Sequence, residues 1–298
     1  EATVANYKQA PLLKFHGCGH RDRSSTVWAG SQLEDLNIAS RIEKSKVWMA
    51  ANLRQKDLLV VGFWSDWDYL NQIVDGAIKS LDPLSVTVID PSPTESLQAK
   101  APGLWAIAHQ PHVNFSHIQE SGADALDQLR RAFSESYVRQ VLAAGKAIFE
   151  AKTGAPCDPA WLTVSGLDGE ALYDWRRDAE GVPDGKPAMS KSPQNVEVLG
   201  YFHLLLRRAG ALHQQQGYAL GGQSIRVVNG AGTDVSIVAK RFVEAPTVPI
   251  ADVFVAAGSI DLGLPSDVVR PGKVGSVVRP RAGGRWLTME QAQMEFKI

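Results

Sequence analysis

The stretch Asp57-Leu58-Leu59-Val60-Val61-Gly62-Phe63-Trp64-Ser65-Asp66-Trp67-Asp68 constrains this chain more than any other. It is an apolar run of strand length that stops in glycine, aromatic and polar residues. A run apolar on successive positions fits a parallel strand buried on both faces, and sheets of such strands carry their chemistry at the carboxyl ends. Leu12-Leu13-Lys14-Phe15-His16-Gly17 has the same form earlier in the chain. His16 and Ser65 are therefore the first residues that need a function.

Around these runs the first half alternates strand and helix patterns. Residues 12–16, 58–63 and 84–89 read as strands, the last stopped by Asp90-Pro91-Ser92-Pro93, and 104–108 reads as a fourth. Residues 32–53 read as a helix. Residues 66–80 start with aspartates and carry Trp67, Leu70, Ile73, Val74, Ala77 and Ile78 at helical spacing. A long amphipathic helix is expected over 122–151, interrupted or kinked near Gly145, after which the alternation ends. The expected fold class is α/β, a Rossmann-like and incomplete parallel sheet over 1–153, followed by a mixed α+β accessory domain over 154–298.

That second part is written differently. Short β-branched runs at 161–164, 225–228, 235–238, 253–255 and 274–278 lie between Gly, Pro and Asp turns, and one strong helix is expected over 196–215. A polar loop over 178–194 precedes that helix. Trp175-Arg176-Arg177-Asp178 reads as a surface ion-pair cluster, and His203 and His213 as flanking a packed face. Gly221-Gly222 and Gly230-Ala231-Gly232 read as hairpin turns, because neither is followed by the Lys-Ser/Thr helix start of a phosphate loop.

Composition narrows the function classes. With 298 residues, 44% of them hydrophobic, the chain can bury a substantial core. Its 31 basic and 32 acidic residues leave a net charge of −1, so no positive field supports binding to nucleic acid. Only Cys18 and Cys157 are present, too few for a four-cysteine zinc site and pointing to a reducing, cytoplasmic setting. No apolar run is long enough to span a bilayer, so no membrane partner is expected. His16, Cys18 and His20 alternate, with His112 and His117 further on, but Gly17 and Gly19 break that stretch. No metal is expected.

Lys14-Phe15-His16-Gly17, the helix after it, the Gly-aromatic and Ser-Asp-Trp-Asp pattern of 58–68, and residues 86–90 follow in an order that resembles the C-terminal part of a zinc-free, sirtuin-like NAD-binding domain. The resemblance covers the first half of the chain. It implies that His16 of the His16-Gly17 pair is the base on a ribose hydroxyl, that Gly62 and Ser65 hold the nucleotide, and that Asp90 touches the adenosine ribose. Residues 112–118 and the helix after them resemble the family's closing segment, which puts His117 near the adenine. Here Gly62-Phe63-Trp64 runs straight into Ser65, one residue tighter than the family's usual turn. The family's glycine-rich phosphate loop lies upstream of its His-Gly motif, and residues 1–11 are too short to carry it. The chain is thus expected to hold half of a nucleotide pocket, completed by upstream residues or another chain.

The activity implied is cleavage of the nicotinamide–ribose bond of NAD, with NAD as substrate. Hydrolysis is preferred to protein deacylation, because the acyl-peptide groove of zinc-bearing sirtuins needs a module that two cysteines cannot build. Such NAD glycohydrolases often act as defence or stress effectors and form homo-oligomers or bind partner proteins. The opposing reading is a non-catalytic nucleotide-sensing or assembly protein.

Overall fold

The computed structural model describes residues 20, 23, 26–62, 82–164, 166–188, 195–214, 216–243, 251–262 and 284–298. The strand expected at 12–16, the helix at 66–80 and the run at 274–278 lie outside them, as do His16, Gly17 and Ser65. The protein is α/β, with one parallel three-stranded sheet and one mixed five-stranded sheet. It divides into two compact units, Glu1–Leu126 and Asp127–Ile298. No helix among the described residues is long and apolar enough to cross a membrane.

In the first unit, helix α1 (Leu36–Leu53) starts where Asp35 accepts the amides of Asn37 and Ile38 at 2.8 and 3.1 Å. An N-cap of this kind satisfies amides that have no partner within the helix. Strands β1 (Asp57–Val61), β2 (Ser85–Ile89) and β3 (Asn114–Ile118) are parallel, with Val61, Ile89 and Ile118 in one row. Helices α2 (Thr94–Lys100) and α3 (Pro102–Ala108) cover one face, where Leu97, Leu104 and Ile107 pack on Val86 and Val88.

Two expectations are corrected here. Residues 104–108 are helical: Pro102 occupies the first turn, and Leu104, Ile107 and Ala108 fall on one buried helical face. The third strand is instead Asn114–Ile118, within the segment that resembles the family's closing segment and where no strand is expected. It alternates half-buried Phe115 and His117 with exposed Asn114, Ser116 and Ile118, the pattern of an edge strand with one covered face.

Helix α4 (Gly122–Thr153) is continuous through Gly145. Its Val138, Val141, Leu142 and Phe149 belong to the core of the second unit, and for that reason the units divide at Leu126 and Asp127, inside the helix, whereas the change of pattern suggested a division at 153 and 154. The second unit adds α5 (Gly169–Ala179), α6 (Val196–Arg208), strands β4 (Leu212–Gln214), β5 (Gly217–Leu220) and β6 (Gln223–Asn229), α7 (Val235–Val243), β7 (Val253–Ala257), β8 (Arg285–Thr288) and α8 (Met289–Phe296). The sheet runs β4-β5-β6-β7-β8, antiparallel up to β6 and parallel beyond it. Alternate residues of β6 and β7 face opposite layers. Val227, Val253 and Val255 join the main core, and Val228 and Ala256 pack with Val238 and Phe242 of α7.

Gly145 is the crossing point of two helices. A Cβ there would lie 2.1 Å from the Gly200 carbonyl carbon, and one on Gly200 would lie 2.0 Å from the Val141 oxygen. α4 and α6 therefore touch backbone to backbone.

Three further expectations change in this unit. Residues 161–164 form no strand: Trp161 and Leu162 end a short 3-10 turn, Pro159–Leu162, capped by Asp158. The β-branched residues 235–238 are helical because Asp234 accepts the Ser236 amide at 2.8 Å and Val235, Val238 and Phe242 share one apolar face. The helix expected to reach 215 stops at Arg208. Gly210 turns the chain at φ +81°, a conformation that suits glycine, into the hairpin in which His213 pairs with Tyr218.

The cluster expected on the surface is buried. Arg226 of β6 is fully enclosed and donates to both oxygens of Asp178 at 2.6 and 2.7 Å and to both of Asp184 at 2.6 and 3.1 Å. Arg177 also donates to Asp184, at 2.8 Å, and Arg176 to Glu180, at 3.2 Å. The start of the polar loop is thereby pinned to the sheet. The two carboxylates hold the Arg226 guanidinium charged against the pull of burial.

Two substitutions test this packing by urea denaturation. Gly145→Ala is expected to cost at least about 2 kcal/mol, because helix backbone must move, whereas Gly154→Ala, at φ +65° with open space around it, costs about 1 kcal/mol. Arg226→Leu is expected to cost about 3–5 kcal/mol by leaving buried Asp178 without its partner and Asp184 with Arg177 alone.

Candidate functional site

The carboxyl edge of the first sheet gathers the sequence-assigned residues that the structure describes. Backbone pairing continues past the strand ends: the Gly62 amide donates to the Ile89 carbonyl at 3.5 Å and the Asp90 amide to the Ile118 carbonyl at 3.2 Å. Gly62 and Asp90 thus follow adjacent strands directly, and His117 stands in the last row but one of β3. Gly62 has φ +60°, and no atom of the described residues lies within 4 Å of where a Cβ would lie. Its left-handed backbone, rather than crowding, favours glycine there, and it leaves the turn open to close approach.

Asp90 is 5% exposed. Its Oδ1 accepts the Ser92 amide at 2.8 Å, an Asx turn that shapes the β2–α2 connection. An ionised carboxylate has about four acceptor positions, so this bond leaves Asp90 capacity for further donors. Lys100 Nζ donates to Ser92 Oγ at 2.5 Å and brings positive charge to the same turn.

His117 braces that turn from the neighbouring strand. Its Nδ1 lies 2.7 Å from Thr94 Oγ1 and its Nε2 lies 3.0 Å from the Asp90 carbonyl oxygen. The carbonyl can only accept, so Nε2 donates to it, and Nδ1 shares a hydrogen bond with the Thr94 hydroxyl. Both nitrogens are thereby used within the protein. Thr94 was not among the residues assigned from sequence, and only its place in the fold, 23 positions from His117, reveals the pairing.

The start of α4 completes the edge. A Cβ on Gly122 would meet Val61 Cγ1 at 2.7 Å, so this helix begins against the residue before Gly62. Ser121 Oγ accepts the Asp124 amide at 3.1 Å as its cap. The sheet edge therefore joins a left-handed glycine, a strand-end carboxylate and the positive end of a helix dipole.

Two other sequence features separate from this edge. His112 pairs with Asp82 at 2.6 Å, away from His117, and no group of three or more metal-ligating side chains occurs among the described residues. Gly221 and Gly222, at φ +59° and +79°, form the β5–β6 hairpin turn as expected. Gly230-Ala231-Gly232 instead joins a strand to a helix. Its amides are used within the protein: Gly230 donates to Ala257, Gly232 to Gly258, and Ala231 to Asn229 Oδ1. That turn offers no free amides to a phosphate.

Comparison with family models, with curated proteins and with solved structures gave no match for this chain.

The brace predicts a specific loss. His117→Ala is expected to lower stability by about 1–2 kcal/mol, as two hydrogen bonds go, and to speed hydrogen exchange at the Ser92 amide. Unchanged exchange there would mean that the turn holds itself.

Proposed function

We propose that the first unit contributes to a sirtuin-like NAD site and that the protein cleaves the nicotinamide–ribose bond of NAD, with water as the acceptor. The reading is carried by Asp90: a half-satisfied carboxylate at the carboxyl end of a central parallel strand, next to an open glycine turn. Acidic residues at this place in other dinucleotide sites accept ribose hydroxyls. Gly62 allows the nucleotide close to the backbone, and the dipole at the start of α4 favours negative charge on a ligand. His117 and Thr94 hold the Asp90 turn in place rather than touching the ligand through a ring nitrogen.

The chemical step falls to His16. As the nicotinamide leaves, positive charge grows at the ribose carbon and its ring oxygen. The nicotinamide leaves with the electron pair of the broken bond, water adds at that carbon, and the imidazole accepts the proton that the water gives up, relayed through the ribose hydroxyls, and releases it to solvent. Oligomerisation and a role in defence or stress belong to the same proposal.

Titration calorimetry on the intact protein tests it. ADP-ribose is expected to bind, and Asp90→Asn to weaken it at least about tenfold, since hydrogen bonds to a charged group contribute roughly 1.5–3 kcal/mol. Asparagine keeps an oxygen for the Ser92 amide, so the turn survives the change. His16→Ala is expected to retain binding and lose NAD turnover. Absence of binding by both NAD and ADP-ribose would overturn the proposal and favour an assembly role.

A further inference from the structure

A second cluster of polar side chains, in the core of the Asp127–Ile298 unit, has no part in the site above. Arg207, near the end of α6, is 7% exposed. Its Nε donates to the Tyr218 hydroxyl at 3.3 Å, and its Nη1 donates to the Thr163 carbonyl at 2.7 Å and to the Trp161 carbonyl. All of these acceptors are neutral. No carboxylate pairs with Arg207 among the described residues, whereas Arg176 pairs with Glu180, Arg177 with Asp174 and Asp184, and Arg226 with Asp178 and Asp184.

Arg207 Nη2 is buried without a hydrogen-bond partner, and so are Trp175 Nε1 and His213 Nδ1. These three side chains are neighbours. The Trp175 ring lies 5.0 Å from the His213 ring and 5.8 Å from the Arg207 guanidinium carbon. It also lies 4.9 Å from the His203 ring and 5.2 Å from the Tyr218 ring. Trp175 itself is 4% exposed.

An isolated buried guanidinium is costly, and proteins normally supply it with an anion. Burial and Arg207 together push His213 down to about 4 and His203 to about 3, so both rings are neutral at physiological pH and add no charge of either sign. A buried water could accept from the indole or the imidazole, but it would leave the positive charge uncompensated. An oxyanion beside these groups would accept from Nη2 of Arg207, from the Trp175 N–H or from a proton on His213 Nδ1, and would neutralise the guanidinium.

A cleft of about 390 Å³ is lined by Gln214, Gln216, Tyr218 and Ser224, among others. Tyr218 belongs to both the cleft and the cluster, and its hydroxyl carries the bond to Arg207 Nε. The volume is that of a small-molecule site.

We propose that Arg207, Trp175 and His213 form a binding site for the carboxylate or phosphate group of a small molecule, reached through the cleft beside Tyr218. The polar groups of Gln214, Gln216 and Ser224 would meet the rest of that molecule.

Inorganic phosphate and succinate serve as separate probes, each titrated into the intact protein while the melting temperature and the His213 ring resonances are followed. At least one probe is expected to raise the melting temperature in a saturable way and to shift the His213 signals, with its pKa moving upward as negative charge arrives. Arg207→Gln is expected to weaken that binding at least tenfold. Trp175→Phe, which keeps an aromatic ring and removes only the N–H, provides a second variant if Arg207→Gln fails to fold, and is expected to weaken binding severalfold. A response to phosphate alone or to succinate alone assigns the class of anion. The proposal is overturned if neither probe moves His213, or if Trp175→Phe and Arg207→Gln respond like the parent protein.

Discussion

Val61, Ile89 and Ile118 stand side by side in a parallel register, and the candidate nucleotide edge depends on that alignment. Side chains alternate faces along a strand, so a slip of one residue would turn His117 outward and bring Ile118 onto the covered face. Two sets of contacts oppose a slip. Val86, Val88 and Phe115 pack beneath α2 and α3, while on the opposite face Ser85 bonds Asp57 at 2.7 Å and Thr87 bonds Ser116 at 2.9 Å. Gly62 and Asp90 are delivered together as a consequence, and His117 then ties the turn after Asp90 to the third strand.

The second unit shows two ways of burying an arginine. Arg226 is closed between Asp178 and Asp184, with Phe242 and Phe254 about its plane, so its charge is neutralised by its own chain. That arrangement fixes α5 and the following loop to the sheet and has no need of a ligand. Arg207 is held by carbonyls and a phenol instead. Its position is secured, but no carboxylate among the described residues balances its charge, and this contrast within one core is what makes it a candidate binding group.

The parts of the fold that could be read from sequence are those whose pattern is local. Residues 58–61 announce themselves by continuous apolar character and 86–89 by an unbroken β-branched run, with Gly62 and Asp90-Pro91 at their ends, and those stops also mark two of the candidate site residues. The strand at 114–118 has three polar residues in five and is defined by its pairing with β2, which no local pattern records. Residues 104–108 and 235–238 are short apolar runs that fit either a strand or a helix, and the deciding cues were Pro102 and Asp234 just before them. The Arg226 network joins residues 48 and 42 positions apart, and the Arg207 contacts span 44, so neither leaves a trace in spacing.

The central claim is that the carboxylate ending β2 meets the ribose of a dinucleotide. A crystal structure of the intact protein with ADP-ribose tests it most directly. The account predicts ribose hydroxyls within hydrogen-bond distance of the Asp90 carboxylate and the diphosphate passing over the Gly62 turn. A ligand bound elsewhere, with Asp90 engaged only by Ser92, would contradict it.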